Sequence, residues 1–144
     1  MNQLQQGVTH RTNFINGKWV DSEQCIEVEN PATGELIGTI ACATYQQVDE
    51  AVSAARQCHE LRLMADMVPY ERMQLLHAIA AQIRALAKQG GELLCLENGK
   101  PLSKAEWEFE EAARYFEYYA GMADKIEGKS IPLGEGLVDF TEYE

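Results

Sequence analysis

The chain has 144 residues, enough for one ordinary domain, and 46% of them are hydrophobic, enough to build a core. Twelve basic residues against twenty-three acidic ones leave a formal charge of −11, which gives no net attraction to phosphate backbones or anionic lipid and speaks against nucleic-acid binding. No apolar run approaches the roughly 20 residues of a membrane span, and the polar start MNQLQQGVTHRTN lacks the layout of a signal peptide, so a cytoplasmic location is the expectation.

The predicted elements begin after that polar lead, residues 1–13. In FINGKWV, Asn16-Gly17 stands between β-prone flanks, the pairing a type I′ hairpin needs because both central residues take φ > 0. CIEVENPATGELIGTI alternates, breaks at Asn30 to Gly34, and resumes from Leu36 to Ala41. Two further strands are expected there, with Val28, Ile37 and Ile40 on one buried face.

From Thr44 the period changes to 3.6. Thr44 and Gln47 fit a capping box, and Val48, Ala51, Val52, Ala55 and Cys58 mark one face of a helix running to about Glu60. After the connector LRLMADMV, Pro69 suits the first position of a second helix, and Gly90-Gly91 is read as its end. A short helical piece, GELLCLEN, stops at Gly99-Lys100-Pro101. Ser103 with Glu106 reads as a second capping box, opening a helix of roughly Lys104 to Glu127 that Gly128 closes. Phe109, Ala112, Ala113, Phe116, Ala120 and Ala123 share one face of it. Pro132, Gly134 and Gly136 form a bend into a last strand, LVDFTEYE, which has no evident partner.

The four cysteines stand apart without a CxxC pair and make no zinc-ligand spacing with His10, His59 or His77. Cys58 and His59 are adjacent, but helix neighbours point about 100° apart, so buried or half-buried free thiols are preferred over a nucleophile and base. The acidic residues are scattered, as on a solvated surface.

In order and spacing, the segments FINGKWVDS, VENPATGELIGTI, VDEAVSAAR, YERMQLLHAIAAQI, ENGKP and YFEYYAGMADKIEGKSIPL resemble the N-terminal quarter of the NAD(P)-dependent aldehyde dehydrogenase superfamily. The chain departs from that pattern at LRLMADMVPYER, where a Trp is usual, and at Val68, where Ser, Thr or Asp often precedes the proline. The resemblance implies an α/β fold in which residues 14–127 are the N-terminal part of the NAD(P)-binding domain and 128–144 start a truncated β arm for oligomerisation. It implies oxidation of an aldehyde to a carboxylic acid with NAD or NADP. A cysteine forms a thiohemiacetal and thioester, an asparagine helps hold the oxyanion and a glutamate activates water.

All three catalytic residues are expected beyond Glu144, and the chain holds no GxGxxG-like fingerprint, so no catalytic or cofactor-binding residue is assigned here. A homo-oligomer, dimer or tetramer, and a small-molecule aldehyde are the implied partners. A monovalent-cation site is implied at the carbonyls of Val28 and Glu29 with Glu97, against a solvated or helix-capping Glu97. Tyr115, Phe116, Tyr118 and Tyr119 are weighed as part of a substrate channel, against a core Phe116 and interface tyrosines. The alternative to a piece of an enzyme is a non-catalytic remnant acting as a subunit-interaction module.

Overall fold

The computed structural model describes residues 9–142. Seven short strands and four helices follow in the order β1 (Thr9–Arg11), β2 (Asn13–Ile15), β3 (Lys18–Val20), β4 (Cys25–Glu29), β5 (Leu36–Ala41), α1 (Tyr45–Glu60), α2 (Pro69–Ala85), α3 (Ala87–Asn98), α4 (Leu102–Ala120), β6 (Lys129–Gly134) and β7 (Leu137–Thr141). The fold is α/β, with three small separate sheets and a packed trio of helices.

Where the signal is local, the expected element forms. Asn16 (φ 48) and Gly17 (φ 76) turn β2 back onto β3. The Thr44 hydroxyl accepts from the Gln47 N–H, and the Gln47 side chain accepts from the Thr44 N–H, so the first capping box closes as drawn. Gly34 takes φ 71 in the turn between β4 and β5. Pro69 opens α2, but Val68 has no side-chain acceptor and that helix starts without a side-chain cap.

Packing overrides the remaining readings. A three-residue strand, β1, lies within the polar lead and pairs in parallel with β5. It buries nothing; His10 fastens it, with Nδ1 2.8 Å from Thr39 Oγ1 and Nε2 2.9 Å from Asp21 Oδ1. That bond, with a second from the Ser22 N–H, holds the Asp21 carboxyl below its ordinary value. The expected face of Val28, Ile37 and Ile40 does not form. A register shift leaves Ile37 without a cross-strand partner, Ile40 is exposed, and Gly38 and Ala41 are the buried positions.

Gly90-Gly91 does not end a helix. α2 gives way to α3 at Leu86, and the two glycines lie inside α3, where a side chain would run into Phe109 and Glu106 of α4. They are the flat surface on which two helices meet. The second capping box is absent: α4 starts two residues earlier than expected, with Pro101 as its N-cap, and ends at Ala120 with Gly121 following. Gly128 instead sits against the Thr141 backbone. The last strand does have a partner, since β7 pairs antiparallel with β6 through a turn at Glu135 (φ 48) and Gly136 (φ 80). Cys25 and Cys58 are exposed, not buried.

The core is thin. Among the described residues the buried apolar ones are Ile15, Ala41, Ala80, Ala105, Ala113, Ala120 and Ala123, and no large side chain is fully enclosed. The chain exposes 11743 Å², whereas a compact chain of 16.1 kDa exposes about 7,400 Å². The apolar face of α1 is open, with Val48 and Val52 exposed, and every described residue of β6 and β7 is exposed as well.

Arg84 ties α2 to α4, donating to Glu117 through both terminal nitrogens (2.8 and 3.1 Å) and to Glu110 through Nε (2.9 Å). Its guanidinium holds the Glu117 carboxyl below the usual carboxylate value, and both carboxylates push Arg84 further up. A depressed carboxyl contributes stability above its unfolded value and loses it as pH falls through the lower native one. The stability difference between the wild-type chain and Arg84→Met is therefore expected to be constant near neutrality and to shrink in acid. Urea midpoints of both chains across that range measure it, and a gap unchanged by acid would contradict it.

Candidate functional site

Two places in the fold gather chemistry. The first lies where α3 runs out. Gly99 caps that helix in the left-handed conformation (φ 76), its N–H bonded to the Cys95 carbonyl at 2.9 Å. A Cβ at Gly99 would stand 3.0 Å from Pro31 Cγ, so the end of α3 abuts the turn between β4 and β5. Val28, half-buried, and Glu29, exposed, sit at the end of β4 where the ladder shifts register. Glu97 is exposed in the last turn of α3 and makes no hydrogen bond or ion pair among the described residues, so it does not cap the helix.

The structure brings the turn and the helix end together. A carboxylate in a helix C-terminal turn adds to the negative end of the dipole, a poor placement for the helix but one that favours a cation nearby. Carbonyl and carboxylate oxygens are also the donors a hard monovalent cation takes, so the residues are chemically compatible with one. No cluster of three His, Cys, Asp or Glu side chains suited to a metal occurs among the described residues.

The second place is on α4. Ala105, Ala113 and Ala120 are its buried positions, in the helix that packs against α2 and α3, while Glu111, Tyr115, Tyr118 and Tyr119 recur at i, i+4, i+7 and i+8 on another face. With Arg114 they line an open cavity of about 420 Å³. Tyr118 and Tyr119 meet edge to face, centroids 5.3 Å apart. Arg114 donates to Glu111 Oε1 at 2.6 Å, with Glu111 the more covered partner (28% against 65% exposed). Oε2 of Glu111 has no hydrogen-bond partner among the described residues. Phe116, on the inward side, is half-buried, consistent with its reading as core, and the tyrosines are exposed. Sequence reading named the tyrosines but missed Glu111; its helical spacing to them is the signal that would have found it.

The left-handed glycines of the described residues, Gly17, Gly34, Gly99, Gly134 and Gly136, lie at strand-to-strand turns or at a helix C-cap.

The sequence model of the aldehyde dehydrogenase family matches residues 19–144. The chain belongs to this family. An aldehyde dehydrogenase relative, the NADP(+) succinate-semialdehyde dehydrogenase 2 of Schizosaccharomyces pombe, is 36% identical over 86% of this chain and 25% of its own. Peroxisomal aminoaldehyde dehydrogenase 2 of Pisum sativum is 37% identical over 83% of this chain and 26% of its own. Among solved aldehyde dehydrogenases, a point mutant of betaine aldehyde dehydrogenase from Staphylococcus aureus in complex with NAD+ superposes with a TM-score of 0.79 at 28% identity. That match covers 85% of this chain and 25% of the other. The chain thus spans about a quarter of the length of the aldehyde dehydrogenases it matches.

Proposed function

We propose that this chain is the N-terminal part of an aldehyde dehydrogenase that oxidises an aldehyde to a carboxylic acid with NAD+ or NADP+ as the oxidant. The observation that carries this reading is the family match running unbroken over residues 19–144, on a fold whose core is left thin. In this reading residues 14–127 frame the dinucleotide-binding domain, and β6 and β7 begin an arm that pairs with other strands of a homo-oligomer. Exposed apolar residues of that hairpin, Leu133, Leu137, Val138 and Phe140, support the arm. The catalytic cysteine, glutamate and asparagine and the cofactor site belong to the parent protein outside these 144 residues. What this chain contributes is the frame, the turn and helix end at Val28, Glu29 and Glu97 where a monovalent cation sits, and the tyrosine face of α4.

The test is aldehyde-dependent reduction of NAD+ and NADP+ by the parent protein and by the 144-residue chain alone. Turnover by the parent and none by the chain is expected. Turnover by the chain alone, or a parent inert towards aliphatic, amino and acidic aldehydes alike, would overturn it. The second reading, a subunit-interaction module without catalysis, rests on the same open hairpin and is the one left standing if the parent is inert.

A further inference from the structure

Strand β1 is held by very little. Its three residues are all exposed, it lies at the edge of its sheet, and its ladder is parallel, the slightly weaker kind per residue. Yet β5 is shaped to receive it. A Cβ at Gly38 would stand 2.8 Å from the Thr9 carbonyl oxygen, so glycine is what lets the two strands approach this closely. With no apolar burial to secure the docking, side-chain bonds must do so, and they converge on His10.

The partners of His10 are themselves fixed. Thr39 lies opposite it in the ladder, on the middle strand of the sheet. Asp21 stands in the loop between β3 and β4, where the Ser22 N–H donates to the same Oδ1 at 2.7 Å. The Ser22 hydroxyl reaches the Gln24 and Cys42 carbonyls, and Nε2 of Gln47, from the α1 capping box, donates to the Asp21 carbonyl at 2.7 Å. The loop is thus a post anchored to α1 and to the end of β5, and β1 is the part free to move.

We propose that β1 is a pH-sensitive strap: protonated His10 locks it onto β5 through the Asp21 carboxylate, and loss of that proton loosens it and uncovers the β5 edge at Gly38 to Ile40. This holds whether or not the parent protein oxidises aldehydes. Histidine is the side chain whose charge ordinarily changes between about pH 5 and 8. Both ring nitrogens of His10 are bonded in either state. Neutral His10 donates from Nε2 to Asp21 and accepts at Nδ1 from the Thr39 hydroxyl; the imidazolium donates from both, and Thr39 Oγ1 turns to accept. What the proton adds is the attraction between unlike charges.

The other charged groups around the ring do not reverse that sign. Glu27 of β4 is in register with Thr39, so it stands in the same cross-strand row as His10, one strand further on. Glu23 is a further acid in the loop that carries Asp21. Arg11, the neighbouring cation on β1, alternates to the opposite face, in register with Ile40, and the group that α1 offers, Gln47, does not titrate. The bond from His10 is also the main cause that holds the Asp21 carboxyl below its ordinary value, so the carboxylate end of the pair is lost only as pH falls through that lower value. The strap is therefore tightest in mildly acidic solution and looser on the alkaline side.

Hydrogen exchange of the full chain tests this. Amides of β1 and of Gly38 to Ile40 are compared at about pH 5.5 and about pH 8, after correction for the intrinsic pH dependence of exchange. The side chains of His10 and Asp21 are 41% and 59% exposed, so solvent screens the pair, and wild type is expected to exchange these amides only roughly two- to fivefold faster at the higher pH. Asp21→Asn, which keeps the shape and an acceptor oxygen, should show the faster exchange at both pH values. His10→Gln should also lose the pH dependence at β1, while keeping any that His59 or His77 causes elsewhere in the chain. Equal wild-type protection at both pH values would overturn the proposal. So would a pH dependence at β1 that survives in either variant, or an acceleration equal across the whole chain, which would mean global unfolding instead of release of one strand.

Discussion

Replacing Gly90 with valine is expected to lower the stability of the full chain by about 1–3 kcal/mol, the range for forcing extra atoms into a packed contact. A Cβ at that position falls on the ring of Phe109, and at the neighbouring Gly91 it would stand 2.7 Å from Glu106 Cγ and 3.0 Å from Glu106 Cα. The Phe109 ring can swing aside, at the cost of the cover it gives the joint between α3 and α4. The Glu106 backbone cannot, so Gly91→Ala should separate the two helices even though alanine is the better helix former. Urea denaturation followed by far-ultraviolet circular dichroism measures both. Helix propensity alone predicts the opposite sign, so a stabilised Gly91→Ala would show that the helices do not meet at this pair.

A second large effect is expected at Gly128, and it should be local. A Cβ there collides with the Thr141 carbonyl at the open end of the β6–β7 hairpin, where the Lys129 N–H also donates to Thr141 Oγ1 at 2.8 Å. The obstacle is main chain, so no rotamer change relieves it. Gly128→Ala should open the hairpin while leaving the helical trio intact, because the helices pack on one another and the hairpin's described residues are all exposed. Hydrogen exchange reads this directly: amides of β6 and β7 should exchange at least about tenfold faster, corresponding to about 1.4 kcal/mol, with α2 and α4 unchanged. Uniform acceleration across the chain would mean that the hairpin and helices unfold together. In the parent protein the same change should weaken subunit association if these strands form the arm.

Both predictions concern glycines that a sequence reading treats as punctuation. Gly90-Gly91 looks like a helix stop because glycine costs a helix about 1 kcal/mol per residue. Here that cost is offset by close approach of α4, a fact located fifteen or more residues away in sequence. Ser103 and Glu106 have the spacing of a capping box, yet Pro101 starts the helix before them, so neither residue stands where a cap is needed. Strand β1 carried no signal at all. Its residues, Thr-His-Arg, are polar, and its ladder partner is β5, where Thr39 lies twenty-nine positions on from His10.

The candidate site divides the same way. The tyrosines of α4 were visible as an aromatic run, whereas Glu111 joins them only once the helix phase and the buried alanine face are known. Val28, Glu29 and Glu97 were named through family resemblance, and the contact of Gly99 with Pro31 is what places their two segments side by side.

The order of residues marked the family, and it decided whatever depends on neighbours within one turn of chain. Among these are the Thr44 and Gln47 capping box, the Asn16-Gly17 turn, the Pro69 start of α2 and the Gly99 stop of α3. These rest on backbone dihedrals and hydrogen bonds between residues at most four apart, so the local sequence contains both partners. Tertiary structure alone decided that two glycines inside α3 are a contact surface, that β1 pairs with β5, and that the apolar stripe of α1 stays open. Each depends on which surfaces come together, a choice set by burial and shape across the whole chain.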